Sequence, residues 1–471
     1  MFIPVVEKLQ SSRTPWQVYQ ALYAGAVTSL FLDSVRRSRP DPSYSYLACD
    51  PFLEVKVLLK EGVLRVQVSG EENRTAPAGV LSAVLRKILK KYSIKGNERF
   101  PFMTGGAAGY WTYEMAALFD NVRLRAGPDS GQPWMHLAFF RDLIVFDHAR
   151  RVYFLVTHVE SPRRVRENAA PALLKLKSFF AMRPLRGASA FQCRKFRAET
   201  SRPRFESMVR KAKTYIRNGD IYQANLSQKF SFTWEGSPIS LYGRLRKINP
   251  SPFASFLKFG ALHVVSSSPE RLVSKRGNLC ETKPIAGTRP RIREKKRQSA
   301  LRRELLANEK ERAEHLMLVD LERNDLGRVC EWKSVKVEEM MKIETYSHVT
   351  HIVSRITGRL KKDRDALDLL HAMFPGGTIT GCPKIRCMEI IDSLEKRPRG
   401  LYTGSLGYID FHGDMDLNIL IRTIVLERGK GSFQVGAGIV HDSNPGREYE
   451  ETLHKGEAMA QALLSPRLMR R

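Results

Sequence analysis

Residues 221–234, "IYQANLSQKFSFTW", alternate without a break. Tyr222, Ala224, Leu226, Gln228, Phe230, Phe232 and Trp234 fall on one side, and Gln223, Asn225, Ser227 and Lys229 on the other. A period of two held over this length fits a long β-strand, because a helix would scatter the same residues around its axis. The preceding "RFESMVRKAKTYIRNGD" has the other period: Phe205, Met208, Val209, Ala212 and Ile216 keep helical spacing, and Asn218-Gly219 supplies the stop. A helix, a turn and a long strand with one polar side are therefore contiguous. Further strands are expected in "ALHVVSSS", "LYTGSLGYIDF", "LNILIRTIVLE" and "GSFQVGAGIV", with helices at about 299–323, 364–373 and 446–464 and no repeat of 20–50 residues.

The amino-terminal part mixes strand-like runs ("YSYLACDPFLEVKVLL", "GVLRVQVSG", "DLIVFDHARRVYFLVTHV") with helical ones ("PAGVLSAVLRKILKKYS", "ENAAPALLKLKSFFAM"). A stretch rich in Arg, Ser and Pro breaks the pattern, so the expected organisation is an amino-terminal region 1–182, a linker 183–203 and a second region 204–465. With 471 residues and 42% hydrophobic content the chain can bury a sizeable core. It shows neither an export signal nor an uninterrupted apolar run of membrane-spanning length, which predicts a soluble, cytoplasmic protein with no membrane partner. Six cysteines without CxxC or zinc spacing fit a reducing compartment, with neither disulfides nor structural zinc expected. Lys and Arg exceed Asp and Glu by 78 − 49 = 29, which raises nucleic-acid binding as a class. The basic residues are scattered, however, without interleaved aromatics or a recognition helix, and an anionic substrate explains them as well.

Two acidic clusters carry the chemistry. Glu311 and Glu314 stand at i and i+3 in "NEKERAEHLMLVDLERND"; Glu448, Glu451 and Lys455 stand at i, i+3 and i+7 in "GREYEETLHKGEAM". Each set faces one way on its helix. Side by side, the two helices would bring four carboxylates together with a lysine at the rim, a donor set for Mg²⁺ completed by an anionic substrate; as isolated helices they would be surface ion pairs. Glycine-rich turns in "PGGTITGCPK", "YTGSLGY" and "VGAGIV" allow backbone amides to approach an anion, yet none has the P-loop ending or a strand-GxGxxG-helix context, so nucleotide binding is not indicated. His315 and His351 lie on mostly apolar stretches, where position alone assigns neither a catalytic role.

Taken in order, "GDIYQANLSQ", "SSSPERLV", "ETKPIAGTRPR", "ERAEHLMLVDLERNDLGRV", "THIVSRITG", "PGGTITGCPK", "YTGSLGYIDFHGDMD", "IRT", "GAGIVHDS" and "EYEETLHK" resemble the chorismate-utilising enzyme family over nearly all of residues 204–465. The resemblance implies an α+β fold of large antiparallel sheets packed face to face, with helices outside. It implies Mg²⁺ as cofactor, held principally by Glu314 and Glu451 with Glu311 and Glu448 as outer partners, and chorismate as substrate. By motif match Glu270 looks like the acid near the departing 4-hydroxyl, with Thr288 and His351 close to the reacting ring and Thr378 lining the pocket. Tyr402, Arg422, the backbone at Gly436, Ala437 and Gly438, and Lys455 look like the carboxylate clamp.

Members of the family that add water carry a lysine base where this chain has Gln223, and an amide cannot take a proton from water. Gln223 therefore points to the amine-adding members. Of these, anthranilate synthase places ammonia at carbon 2 and eliminates pyruvate, while aminodeoxychorismate synthase replaces the 4-hydroxyl and feeds p-aminobenzoate and folate synthesis. "FLDSVRRSRPDPSYSYLACDP", "GGAAGYWTYEMAALFD", "DIYQANLSQ" and "FPGGTITG" are similar to the second, which is the expected activity. Ala286 leans the other way, since many aminodeoxychorismate synthases carry a nucleophilic lysine there and alanine cannot be a nucleophile. No nucleophilic Cys in a glycine-rich elbow occurs, so ammonia is expected from a glutamine amidotransferase partner or free ammonium. "FLDS" resembles a tryptophan-binding element, and Cys382 stands where the family usually has alanine.

Overall fold

The computed structural model describes the chain apart from residues 1, 35–42, 72, 95–98, 121, 125–130, 185–188, 291–293, 346–348 and 465–471, and apart from the side chains at 288, 290, 295, 296, 310, 345 and 349. Among the described residues the strands build two twelve-stranded sheets whose neighbours pair antiparallel. Leu30, Leu143 and Val264 of one sheet meet Ala108, Tyr110 and Leu406 of the other in a shared apolar core, so the sheets lie face to face. Apolar faces of helices Pro15–Gly25, Val165–Ala181, Pro238–Ile248 and Pro445–Leu463 cover the outside of the first sheet. Leu81–Lys91, Glu309–Gly327 and Ala366–Met373 cover the outside of the second. This is the expected α+β arrangement of helices around two packed sheets.

The boundary expected near 183–203 does not separate two packing units. Thr28–Asp33 pairs with Phe253–Phe259 in one sheet, and Gly106–Trp111 with Ser405–Asp410 in the other. Each half alone would leave open sheet edges, which pairing across the halves removes. Within the supposed linker, Gln192–Ala198 is itself a strand paired to Gln223–Glu235.

Several predicted elements are divided, and in two of them the break is a corner between the sheets. "YSYLACDPFLEVKVLL" becomes Tyr44–Cys49 in one sheet and Leu53–Lys60 in the other, with Asp50 at φ 53° between them. "LNILIRTIVLE" likewise becomes Met415–Ile419 and Thr423–Glu427 in different sheets, with Arg422 at φ 51° in the corner. A left-handed residue turns the chain without a loop, and the apolar run continues because both strands are buried. The helix expected at 299–323 is two, Lys295–Ala307 and Glu309–Gly327, because Asn308 is extended and its side chain accepts the Glu311 amide as an N-cap.

The long strand Gln223–Glu235 lies inside the molecule, and Gln223, Asn225 and Ser227 of its polar row are buried. One edge pairs with Lys430–Ile439 along most of its length. Among the described residues the other edge has strand partners only near its ends, at Gly381–Cys382 and from Phe230 onward. Side chains close the gap: Glu395 accepts the Ser227 amide at 2.8 Å, and Arg399 donates to the Asn225 carbonyl at 2.6 Å and to the Ile379 carbonyl at 2.9 Å. Arg399 and Glu395 pair with each other at 2.7 Å with side chains 1% and 2% exposed. Breaking a buried pair strands a charge in a dry site. Arg399→Ala should therefore lower the free energy of unfolding in urea by about 3–5 kcal/mol; a loss under about 1 kcal/mol, the value of a surface bridge, would deny the pair this role.

Candidate active site

The strands Gln223–Glu235 and Lys430–Ile439 run side by side with Asn225 opposite Gly438 and Ser227 opposite Gly436. Past Phe433 the second strand loses its other strand partner among the described residues, so its outer edge is open. The glycines are needed here for space. A Cβ at Gly436 would stand 2.5 Å from Asn225 Oδ1 and 2.6 Å from the Tyr402 hydroxyl; one at Gly438 would stand 2.6 Å from Gln223 Nε2. Polar side chains of one strand thus fold over the bare backbone of the other.

Two helices reach this open edge. From Glu309–Gly327, Glu314 Oε1 accepts from Gln223 Nε2 at 3.0 Å, beside Gly438. From Pro445–Leu463, Lys455 Nζ donates to the Gly436 carbonyl at 3.2 Å and pairs with Glu451 Oε1 at 2.7 Å. The expected convergence of four carboxylates is not what the geometry gives. Glu311 is held by Arg289 at 3.2 Å, and a Cβ at Gly287 would come within 2.7 Å of its other oxygen. Glu448 is buried on its own helix. Among the described residues no three His, Cys, Asp or Glu side chains lie close enough to hold a metal by themselves. The reason is the fold: the two helices cover different sheets, and at the strand Lys430–Ile439 one brings Glu314 to Gly438 while the other brings Lys455 to Gly436.

Glu270 follows the strand Leu262–Ser268, and its amide hydrogen bonds to the Ser268 hydroxyl while Ile419 N–H donates to its carbonyl. Its side chain is buried, and burial pushes the carboxyl up to about 7, against the pull of Thr378, the Ile285 amide, Arg422 and Lys455. Arg422, in the corner between the two sheets, has its pKa lowered by burial and partly restored by Glu270. Among the described residues four buried polar atoms of this region lack a hydrogen-bond partner: Gln223 Oε1, Asn225 Oδ1, Glu270 Oε1 and Thr378 Oγ1. Buried groups of this kind are the ones a ligand satisfies.

The wall "KPIAGT" runs as strand Ile285–Pro290 against Val349–Arg359, with Ala286 opposite Ile352 and a bulge before Arg289. Ala286 is buried, and Gly287 takes φ 61° at the bulge. His351 Nδ1 lies 2.8 Å from the Gly287 carbonyl, which can only accept, so this nitrogen carries a proton. The backbone of Thr288 belongs to the strand, and its side chain lies outside the described residues. His315, by contrast, is fully buried, bonds Ser354 and has its pKa pushed down to about 4 by burial, as a core residue does. Asn225 was legible as a member of the polar row but not as a site residue, because its place opposite Gly438 is a pairing between positions far apart along the chain.

A second cavity of about 380 Å³ takes its walls from both sheets, among them Asp33, Ser34, Tyr46, Met103, Phe253 and Arg271. Asp33 and Ser34 belong to "FLDS"; residues 35–42 of that element lie outside the described residues.

Residues 60–461 match the chorismate binding enzyme family, which extends the likeness well into the amino-terminal half. The chain is 41% identical over 455 residues to aminodeoxychorismate synthase component 1 of Bacillus subtilis, spanning 95% of this chain and 94% of that one. It is 37% identical over 473 residues to anthranilate synthase component 1 of Acetivibrio thermocellus, spanning 98% and 95%. The crystal structure of anthranilate synthase component I from Streptococcus pneumoniae superposes with a TM-score of 0.77 at 35% identity over 90% of this chain and 94% of that one. With a family match over most of its length and relatives this similar from end to end, the chain belongs to the chorismate-binding enzyme family.

Proposed function

We propose that the protein aminates chorismate at carbon 4, using Mg²⁺ and ammonia released by a separate glutaminase partner, to give 4-amino-4-deoxychorismate. The observation that carries amination, at either carbon, is the state of Glu270: a buried carboxyl held near neutral pH, with an unpartnered oxygen, beside Arg422 and Lys455. A hydroxyl leaves an allylic ring far more readily when protonated in place, and a carboxylic acid with a pKa near the working pH is suited to deliver that proton. Arg422, Lys455, Tyr402 and the open backbone at Gly436–Gly438 are suited to the two carboxylates of a dianion. Gln223, oriented by Glu314, offers its free carbonyl oxygen to an N–H of the incoming ammonia, which needs no base to be nucleophilic.

Glu314, beside Gly438, and Glu451, beside the Lys455 that reaches Gly436, would hold Mg²⁺ as hard oxygen donors, since this ion keeps several waters instead of needing a closed protein cage. Bound there, the ion would neutralise a substrate carboxylate. Glu311 and Glu448 are left as outer residues, and His351 as a group beside the ring. The identity to an aminodeoxychorismate synthase component 1 supports carbon 4. One observation favours a second reading, amination at carbon 2 with loss of pyruvate: the wall position opposite Ile352 is Ala286, so no side chain there can form a covalent intermediate. The cavity beside Asp33 and Ser34 is where we propose a tryptophan site, since aromatic and charged groups line the same space.

Three measurements test the reading. With chorismate, Mg²⁺ and ammonium, product should accumulate without fluorescence and yield p-aminobenzoate only after a lyase is added; anthranilate fluorescence without lyase would establish carbon 2 instead. Glu270→Gln should lower kcat by about 10²–10⁴-fold, and the wild-type kcat/KM should fall as pH rises through about 7, where Glu270 loses its proton. Glu314→Ala and Glu451→Ala should each abolish both turnover and its Mg²⁺ dependence, and retained activity in both would remove the metal assignment.

A further inference from the structure

Behind Glu270 lies a second buried carboxyl that the reaction above does not use. Glu322 sits on Glu309–Gly327 eight residues beyond Glu314, just over two turns further along the helix. It is 5% exposed, and its Oε2 is 2.7 Å from the hydroxyl of Thr282, which is itself 1% exposed. The same hydroxyl is 2.8 Å from the carbonyl of Leu272. A threonine hydroxyl has one proton to give, and a backbone carbonyl can only accept. The Thr282 proton therefore goes to Leu272, and the contact with Glu322 needs a proton on the carboxyl. An ionised Glu322 would instead set a carboxylate oxygen against a lone pair of Thr282 in a site closed to water.

The surrounding charges agree. Those facing Glu322 are Glu270, Asp325 and Lys384, and Lys384 is already bound to Asp325 at 2.7 Å with both side chains buried. Burial, together with Glu270 and Asp325, pushes Glu322 up to about 8, while Lys384 pulls it back. Thr282 closes the strand Leu279–Thr282 and leads into the "KPIAGT" wall, so the bond also fixes the root of that wall.

We propose that Glu322 is a neutral carboxylic acid that donates its proton to Thr282 and acts as a positioning residue, so that Glu270 gains and loses its own proton beside an uncharged neighbour. The role toward Glu270 rests on reading Glu270 as the proton donor; the protonation of Glu322 does not.

Glu322→Gln replaces the acid with a neutral group that can donate the same bond. Its kcat/KM should stay within about threefold of wild type from pH 6 to 8, with the fall through Glu270's range unmoved. At pH 7 the wild-type minus variant infrared spectrum should carry the C=O stretch of a protonated carboxylic acid. The Tm of the variant should gain on wild type as pH rises from 5.5 to 8, because wild type must retain on Glu322 a proton that the unfolded chain releases at about 4.3. Carboxylate bands in the difference spectrum, a Tm gap that does not grow, a fall shifted to lower pH, or a variant that does not fold would overturn the proposal. An unchanged kcat in Glu270→Gln, with the infrared and Tm results as expected, would overturn only the role toward Glu270.

Discussion

The ion pair between Arg399 and Glu395 lets a polar strand exist in the middle of this molecule. A strand that buries Gln223, Asn225 and Ser227 on one face cannot also leave one edge of its backbone unpaired, since each unmet amide or carbonyl away from water costs as much as a lost hydrogen bond. A neighbouring strand over residues 225–227 would close that edge, but it would stand where the Gly377–Ile379 turn now brings Thr378 toward Glu270. Two charged side chains take the strand's place. They neutralise each other, satisfy the exposed edge at Asn225 and Ser227, and tie in the Ile379 carbonyl. Glu114 and the rings of Tyr113 and Tyr402 pack around the same guanidinium or its backbone, so the pair is supported on several sides.

With the strand fixed, the site follows from what meets its far edge. Glycines at 436 and 438 make room for Asn225 and Gln223, and the helices on either side bring Glu314 to one glycine and Lys455 to the other. Glu270 and Arg422 come from places where the chain ends a strand or crosses between sheets. Such positions hold a charged group in low dielectric without interrupting a regular element, and the raised pKa of Glu270 is the result.

Much of this was legible in the sequence because the signals were local. The period of 221–234 marked the strand, and the pattern at 446–464 marked the helix that carries Glu451 and Lys455. What was not legible depended on pairings far apart along the chain. "LNILIRTIVLE" reads as one strand because residues on both sides of Arg422 are apolar, and only the sheets show that the run changes partner there. Nor was the strand Gln192–Ala198 legible, because it is an edge strand rich in charge, whose composition resembles a loop. Glu311 and Glu448 shared helical spacing with Glu314 and Glu451, but spacing does not say which neighbour each side chain will find, and for Glu311 that neighbour is Arg289.

The interleaving of the two halves has a consequence for how the molecule is made. Thr28–Asp33 waits for Phe253–Phe259, and Gly106–Trp111 waits for Ser405–Asp410, so neither sheet can close until most of the chain has left the ribosome. Between Trp111 and Ser405 lie some 300 residues, which at cellular rates of translation take roughly 15–60 s to synthesise. During that time the nascent chain carries an apolar sheet edge with no partner, so its yield in a cell depends on what shields that edge before the last strands arrive.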